Sequence, residues 1–246
     1  MSLPRFFCDA PLSPRTRIAL PDALAHHAVR VLRLRDGADI VLFDGQGGEY
    51  PATLIVEGKT ANAQLGEHLP REAELAGRIT LAQGLPSGDK MDWVVEKAVE
   101  LGASRVTPIT AQRSVLQLSG ARLEKRVAHW SRIAQAAAEQ CGRNRLMPVD
   151  APMGLQEWLA LPEPGLRLLC HPEAAGTLTE VLQQAREQGP LESISLLIGP
   201  EGGWSDAELE LAARHGVRSV RYGPRVLRTE TAGVALIAAI TALLGW

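Results

Sequence analysis

Two glycine-rich loops, each directly after a predicted strand, carry the residues of this sequence best suited to hold a small ligand. In the first, "LLIGPEGGWSDAELELA", three glycines and Glu201 follow an apolar run. Ser205 and Glu208 form the Ser-x-x-Glu pattern of a capping box, which predicts that a helix begins directly after the loop. The free N–H groups and the positive dipole end of that helix would face the loop.

The second loop, "YGPRVLRTETAGVAL", follows the next predicted strand. Arg225 and Arg228 lie within it, and the hydroxyls of Thr229 and Thr231 could cap the last helix, which is predicted over residues 232–244. A lone arginine is usually a solvated charge or a structural carboxylate partner. Two such loops after consecutive strands instead predict two walls of one site. Neither loop has a dinucleotide or triphosphate glycine fingerprint.

The elements that must position these loops alternate between strand and helix from Ile79 onward. Strands are predicted at "RITLAQGL", "SRVTPIT", "LRLLCH", "SISLLIG" and "VRSVRYG", and helices between them. This alternation is typical of an α/β domain with a parallel sheet and helices on both faces. Ligands of open α/β sheets bind beyond the carboxyl ends of the strands, where both loops lie.

The first 70 residues have a different sequence pattern, with β-prone runs in place of alternating strands and helices. "DIVLFDGQGGEYPATLIVEG" holds two β-prone runs around Asp-Gly and Gly-Gly, which predicts a hairpin in a small β domain. The polar segment at residues 70–77 is predicted to be a linker or an entry helix. The last helix is apolar on nearly every side, which indicates burial in the core or in a subunit interface.

Composition narrows the class of protein. The chain has 246 residues, 46% of them hydrophobic, and a net charge of -2, so it is globular and has no global attraction to nucleic acid. The three cysteines are far apart, which argues against disulfides and a zinc site; no metal is expected, and His26 and His27 have no partner cluster. A signal peptide and a membrane span are not expected, so the predicted location is the cytoplasm.

The two loops resemble those of the 16S ribosomal RNA uridine-N3 methyltransferases of the SPOUT superfamily. Three further stretches share this resemblance: "QGLPSGDKMDWVVEKAVELG", "RIAQAAAEQCGRNRLMPV" and "HHAVRVLRLRDGADIVLFDGQGGEY". Trp204 and Gly233 are mild departures from that pattern. The resemblance implies a PUA-like β-barrel at residues 1–70 that helps bind RNA. It also implies an α/β SPOUT domain at 74–246 with a deep trefoil knot, a homodimer, and S-adenosylmethionine as cofactor. The implied substrate is 16S rRNA, within the small ribosomal subunit.

The same resemblance implies three groups of cofactor contacts in the knot loops. They are Leu169, Cys170 and His171; Gly199, Glu201, Gly202 and Gly203; and Tyr222, Gly223, Val226, Leu227, Arg228, Thr229, Thr231 and Ala232.

The implied reaction is in-line displacement at the methyl carbon by uridine N3, which is protonated at neutral pH. Arg228 is expected to stabilise the anion that forms on O2 and O4. Glu201 and Glu230 are both candidate proton acceptors, and the sequence does not choose between them. For Glu230, stabilisation of the helix dipole is the favoured interpretation.

Basic and amide side chains are the expected RNA contacts, although each arginine could be an ordinary solvated charge; for Arg143 the resemblance favours RNA contact. They are Arg5, Arg30, Arg33, Arg113, Gln140, Arg143 and Arg145. Two other functions remain open: an RNA-binding assembly factor that lacks catalysis, and a nucleotide-dependent oxidoreductase, which the missing fingerprint disfavours. A different target base or ring position is also open.

Overall fold

The computed structural model describes residues 3–58, 60–114 and 119–246, and the chain divides into two compact units. The first unit comprises the described residues up to Glu74 together with Ala138–Leu146. The second comprises the described residues of Leu75–Ala137 and Met147–Trp246.

The first unit is built on a five-stranded sheet. Its strands are β1 (Arg5–Phe7), β2 (Arg17–Ala19), β3 (Asp39–Phe43), β4 (Tyr50–Glu57) and β5 (Thr60–Leu65), in the order β1-β3-β4-β5-β2. β1 and β3 are parallel and the other pairs are antiparallel. The predicted hairpin is confirmed as β3 and β4, in which Ile40 pairs with Ala52. Helix α1 (Asp22–His26) continues into a π-helical turn over His27–Val31, which the sequence pattern did not predict.

Residues 138–146 belong to the first unit, whereas the sequence prediction had placed them in the second domain. Asn144 accepts a hydrogen bond from Arg5 and donates one to the Arg71 carbonyl oxygen at 2.7 Å. Arg5 and Arg71 both bind the carboxylate of Glu49, whose side chain is only 2% exposed. Since a buried carboxylate requires such partners, this network ties the segment to the sheet. No pattern of spacing along the chain could show it.

The second unit confirms the predicted parallel sheet. Its strands are β6 (Arg78–Gly84), β7 (Arg105–Thr110), β8 (Met153–Gly154), β9 (Leu166–Cys170), β10 (Ser193–Ile198) and β11 (Arg218–Val220). They are parallel throughout, in the order β11-β9-β10-β6-β7-β8. The helices are α2 (Lys90–Glu100), α3 (Gly120–Cys141), α4 (Leu155–Ala160), α5 (Leu178–Gln188), α6 (Asp206–Arg214) and α7 (Thr229–Leu244). Residues 70–77 contain no helix, so the linker alternative is the correct one.

The last helix has one buried side within the chain. Leu236, Ile237 and Ile240 are buried, and α7 packs on α2, β6 and β10. Leu243, near its C-terminal end, is 45% exposed. Among the described helices, α7 included, none has the combined length and apolarity needed to cross a bilayer.

Candidate functional site

Three loops meet at one edge of the second unit because β11, β9 and β10 are neighbours in the parallel sheet. They are residues 170–172 at the carboxyl end of β9, the first loop (residues 199–204) after β10, and the second loop (residues 222–228) between β11 and α7. Together they enclose a cavity of about 440 Å³, a volume typical of small-molecule sites.

Most of the residues predicted to contact a cofactor line this cavity. They are Cys170, His171, Gly199, Glu201, Gly203, Tyr222, Gly223, Val226, Leu227, Arg228, Thr229 and Ala232. Arg113, Pro172, Ile198, Pro200, Trp204 and Arg225 also line it.

Three predicted residues lie behind or beside the lining. Leu169 is buried in β9, and Thr231 is exposed on the first turn of α7. Gly202 packs on Arg113: a Cβ added to it would lie 2.9 Å from the Arg113 Cβ. Arg113 itself donates hydrogen bonds to the carbonyl oxygens of Gly202 and Trp204, at 3.1 and 3.2 Å. Its guanidinium therefore braces the first loop.

Glu201 is held by residues that the sequence did not single out. Its Oε1 accepts hydrogen bonds from the Ser87 amide (2.9 Å), the Ser87 hydroxyl (2.7 Å) and Lys90 Nζ (3.0 Å). Partial burial raises the pKa of this carboxyl, but the hydrogen bonds from Ser87 and Lys90 outweigh it and lower the pKa to about 2. Glu201 is thus a permanent carboxylate at neutral pH.

Lys90 also lies 3.7 Å from Glu230 Oε2. The hydrogen bond with Glu201 raises the pKa of Lys90 above its ordinary value. One ammonium therefore bridges a carboxylate of the first loop and a carboxylate at the start of α7. Ser87 lies between β6 and α2, and Lys90 is the first residue of α2; only the fold brings them to Glu201.

The start of α7 differs from the sequence prediction. The helix begins at Thr229, its N-cap is Arg228, and that cap makes no side-chain hydrogen bond. The predicted capping by Thr229 or Thr231 is therefore wrong. The hydroxyl of Thr229 instead donates to the Gly199 carbonyl oxygen and accepts from Gln83 Nε2 at 2.9 Å. Arg228 is left with its side chain on the cavity.

The start of α6 matches the prediction. The Glu208 amide donates to Ser205 Oγ at 3.3 Å, and the Ser205 amide donates to Glu208 Oε2 at 2.8 Å. This reciprocal pair is the predicted capping box.

Cys170 is the cavity's thiol. Burial raises its pKa to about 11, so it is neutral at neutral pH and presents a small apolar surface. Within the described ranges, no three His, Cys, Asp or Glu side chains converge to form a metal site.

The residues predicted to contact RNA fall into two groups. Arg30, Arg33, Gln140 and Arg145 are exposed in the first unit, and Arg113 is exposed in the second.

The second group comprises Arg5 and Arg143, whose guanidiniums form ion pairs within the first unit. Arg143 is 3% exposed, and its Nε donates to Glu74 Oε1 at 2.9 Å. Arg5 pairs with buried Glu49. The structure thus gives both guanidiniums a role inside the first unit, which the expectation of RNA contact did not include.

A family profile described as "RNA methyltransferase domain" matches residues 73–241, and one described as "RNA methyltransferase PUA domain" matches residues 20–61. A ribosomal RNA small subunit methyltransferase E from Synechocystis is 37% identical over 92% of this chain and 73% of its own length. The Bacillus subtilis protein of that name is 31% identical over 88% of this chain and 86% of its own.

The chain belongs to this family of RNA methyltransferases. The crystal structure of a ribosomal RNA small subunit methyltransferase E from Neisseria gonorrhoeae, bound to S-adenosyl methionine, agrees in fold. It has a TM-score of 0.89 and 36% identity over 98% of both chains. The resemblance drawn from the sequence motifs is therefore confirmed, as are the PUA-like domain and the α/β methyltransferase domain.

Proposed function

We propose that this protein transfers the methyl group of S-adenosylmethionine to N3 of a uridine in 16S rRNA. The observation that carries the proposal is the convergence of three loops on one cavity at the carboxyl edge of β9, β10 and β11. Relatives of this chain are named as small-subunit rRNA methyltransferases, and one is bound to the same cofactor.

The chemistry of the cavity fits this cofactor. Gly199, Gly203 and Gly223 leave backbone groups accessible to a ligand, while Leu227 and Ala232 offer apolar surface for a purine ring. The ionised carboxylate of Glu201 matches the positive charge that the cofactor carries on its sulfonium and amino groups. When bound, the cofactor supplies an electrophilic methyl group.

The protein's own residues then act on the nucleotide. Arg228 donates to the uracil oxygens on which negative charge collects as N3 loses its proton, and this stabilises the anion. Glu201, with a pKa of about 2, is too weak a base to take a proton at neutral pH, so we assign it the electrostatic role. Glu230 is the other carboxylate beside Lys90, and Glu230→Gln tests it as proton acceptor.

The assembly and the RNA surface follow from the same family. We propose a trefoil knot within residues 74–246 and a homodimer in the cytoplasm. The exposed Leu243 on α7 supports a second copy as a neighbour, and sedimentation gives the oligomeric state. The exposed Arg30, Arg33, Arg113 and Arg145, with Gln140, are the proposed contacts to RNA.

The test is methyl transfer from labelled S-adenosylmethionine to small ribosomal subunits that lack the modification, followed by nucleoside mass spectrometry. N3-methyluridine in the digest supports the proposal in full. Methylation at another position would support the proposed methyl transfer to rRNA but would change the proposed target atom. A purified protein that binds the RNA but not the cofactor would instead be an assembly factor.

A further inference from the structure

A buried amide, Gln83, has no part in the function described so far. It lies near the end of β6 and is 0% exposed. Its Nε2 donates to Thr229 Oγ1 at 2.9 Å and to the Gly84 carbonyl oxygen at 3.1 Å. Its Oε1 is buried and has no hydrogen-bond partner among the residues that the structure describes. A buried acceptor without a partner costs stability, so part of what the two hydrogen bonds from Nε2 contribute to the fold is offset at Oε1.

The hydrogen bonds from Gln83 continue to the cavity wall. Thr229 is buried at the first position of α7, and its hydroxyl donates to the Gly199 carbonyl oxygen. Because Oγ1 has a single proton, accepting from Gln83 leaves that proton directed at Gly199. The relay thus runs in one direction, from β6 through the start of α7 to the first residue of the first loop.

A second contact fixes the same point. A Cβ added to Gly84 would lie 2.5 Å from Pro200 N and 2.7 Å from Gly199 C. The end of β6 is therefore in direct backbone contact with the loop that the relay reaches. Gly199 and Thr229 both line the cavity, so a shift of either one changes its shape.

We propose that Gln83 is a positioning residue for cofactor binding: acting through Thr229, it fixes the Gly199 carbonyl and with it the first loop. This inference rests on the proposed function, because it takes S-adenosylmethionine as the ligand of the cavity. Gln83 itself is not among the residues that line the cavity.

The variants are Gln83→Met, which keeps the side-chain length and removes the donor, and Thr229→Val, which removes the hydroxyl. Thr229→Ser restores it. The matched control is Thr80→Val: Thr80 lies on the same strand and its hydroxyl donates to Ser195 of β10 at 2.9 Å, in an equally buried pair. That pair does not line the cavity.

The measurements are the Kd of S-adenosylhomocysteine by calorimetry, the KM of S-adenosylmethionine against kcat, and urea unfolding. We expect Thr229→Val to raise Kd and KM at least about tenfold, the effect of one lost buried hydrogen bond. Gln83→Met raises them by a smaller factor without loss of stability, because it also removes the unpaired Oε1. Thr229→Ser restores the wild-type Kd, and Thr80→Val leaves it unchanged.

The double variant tests the relay itself. Since Gln83 acts through Thr229, Gln83→Met adds little to Thr229→Val, and the two effects are not additive. Additive effects, wild-type Kd in Gln83→Met, or a loss of binding in Thr80→Val equal to that in the other variants would each overturn the inference. If Thr229→Val does not fold, the Kd values of Gln83→Met and Thr229→Ser test the inference without it. A wild-type protein that binds neither cofactor form contradicts the proposed function instead.

Discussion

The backbone and the side chain of Arg228 have different roles. Its backbone is the N-cap of α7 and makes no side-chain cap, while the side chain lines the cavity. We therefore expect Arg228→Ala to keep its stability within about 0.5 kcal/mol and to lower kcat at least about 100-fold, as when an anion-stabilising donor is removed.

Single-turnover methylation and urea unfolding measure the two effects of Arg228→Ala. Arg214→Ala, an exposed arginine in the last turn of α6, is the control with unchanged activity. Near-normal turnover in Arg228→Ala would remove this residue from the reaction.

We expect Glu201 to make cofactor binding insensitive to mild acid. Its pKa in the folded protein lies at about 2, below the ordinary 4.5, so the carboxylate stays ionised in the mildly acidic range and its contribution to binding is lost only as the pH falls towards 2. Lys90→Met removes one of the hydrogen bonds that lower this pKa and moves the loss to higher pH.

The measurement is the affinity for S-adenosylhomocysteine from pH 7 down to pH 4. In the wild type, we expect no change in affinity from the titration of Glu201 over this range. In Lys90→Met, we expect the affinity to decline towards pH 4. Lys97→Met, which removes a lysine paired with Glu96 and Glu100 on the same helix, keeps the flat profile. Identical profiles in Lys90→Met and the wild type would show that Lys90 does not hold Glu201.

At the scale of elements, the contact between β6 and the first loop allows no side chain at Gly84. We expect Gly84→Ala to lower the free energy of unfolding by about 1–3 kcal/mol, since its Cβ would lie 2.5 Å from Pro200 N. The variant should also lose affinity for S-adenosylhomocysteine, because the loop must move.

The comparison for Gly84→Ala is Gly154→Ala at the end of β8. A Cβ at Gly154 meets no atom within 4 Å, so a change below about 1 kcal/mol is expected at this N-cap position of α4. Equal losses in both variants would mean that backbone flexibility, and not the contact with the loop, explains the effect.

Periodicity and capping predicted the elements of the second unit because those signals are local. The Ser205 capping box and the helix period before Gly102 both depend on residues within a few positions of each other. The approach of Gln83 to Thr229 spans 146 positions, and that of Ser87 to Glu201 spans 114. Only the order of strands in the sheet creates such contacts, and no spacing in the sequence encodes them directly.

The start of α7 illustrates the limit of local rules. Threonine is a common helix cap, but the hydroxyl of Thr229 donates its hydrogen bond to the Gly199 carbonyl oxygen instead. The helix therefore begins without a side-chain cap. Tertiary contacts here override a local preference.

At the scale of the molecule, two arginines predicted to contact RNA should now behave differently. Arg33→Ala, in the exposed segment that follows the π-helical turn, is expected to weaken rRNA binding and to reduce the slope of log K against log salt by about 0.7–0.9, the value for one phosphate contact. Arg143→Met leaves Glu74 without its guanidinium and should instead lower stability by about 1–3 kcal/mol.

Binding isotherms at several salt concentrations and urea unfolding distinguish the two outcomes. An unchanged salt slope in Arg33→Ala would place the RNA elsewhere. A reduced slope in folded Arg143→Met would mean that the buried guanidinium is released to RNA.

The division of the chain also has a consequence for its synthesis. Glu74 and Glu49 find partners in Arg143 and Asn144, and the segment that carries those partners emerges from the ribosome after residues 75–137 of the other unit. Glu49 already has Arg5 and Arg71 as partners, but the N-terminal unit lacks the guanidinium that pairs with Glu74 until more than half of the polypeptide has been made. Vectorial folding is interrupted, and a nascent chain stalled before residue 138 should hold a protease-sensitive N-terminal unit.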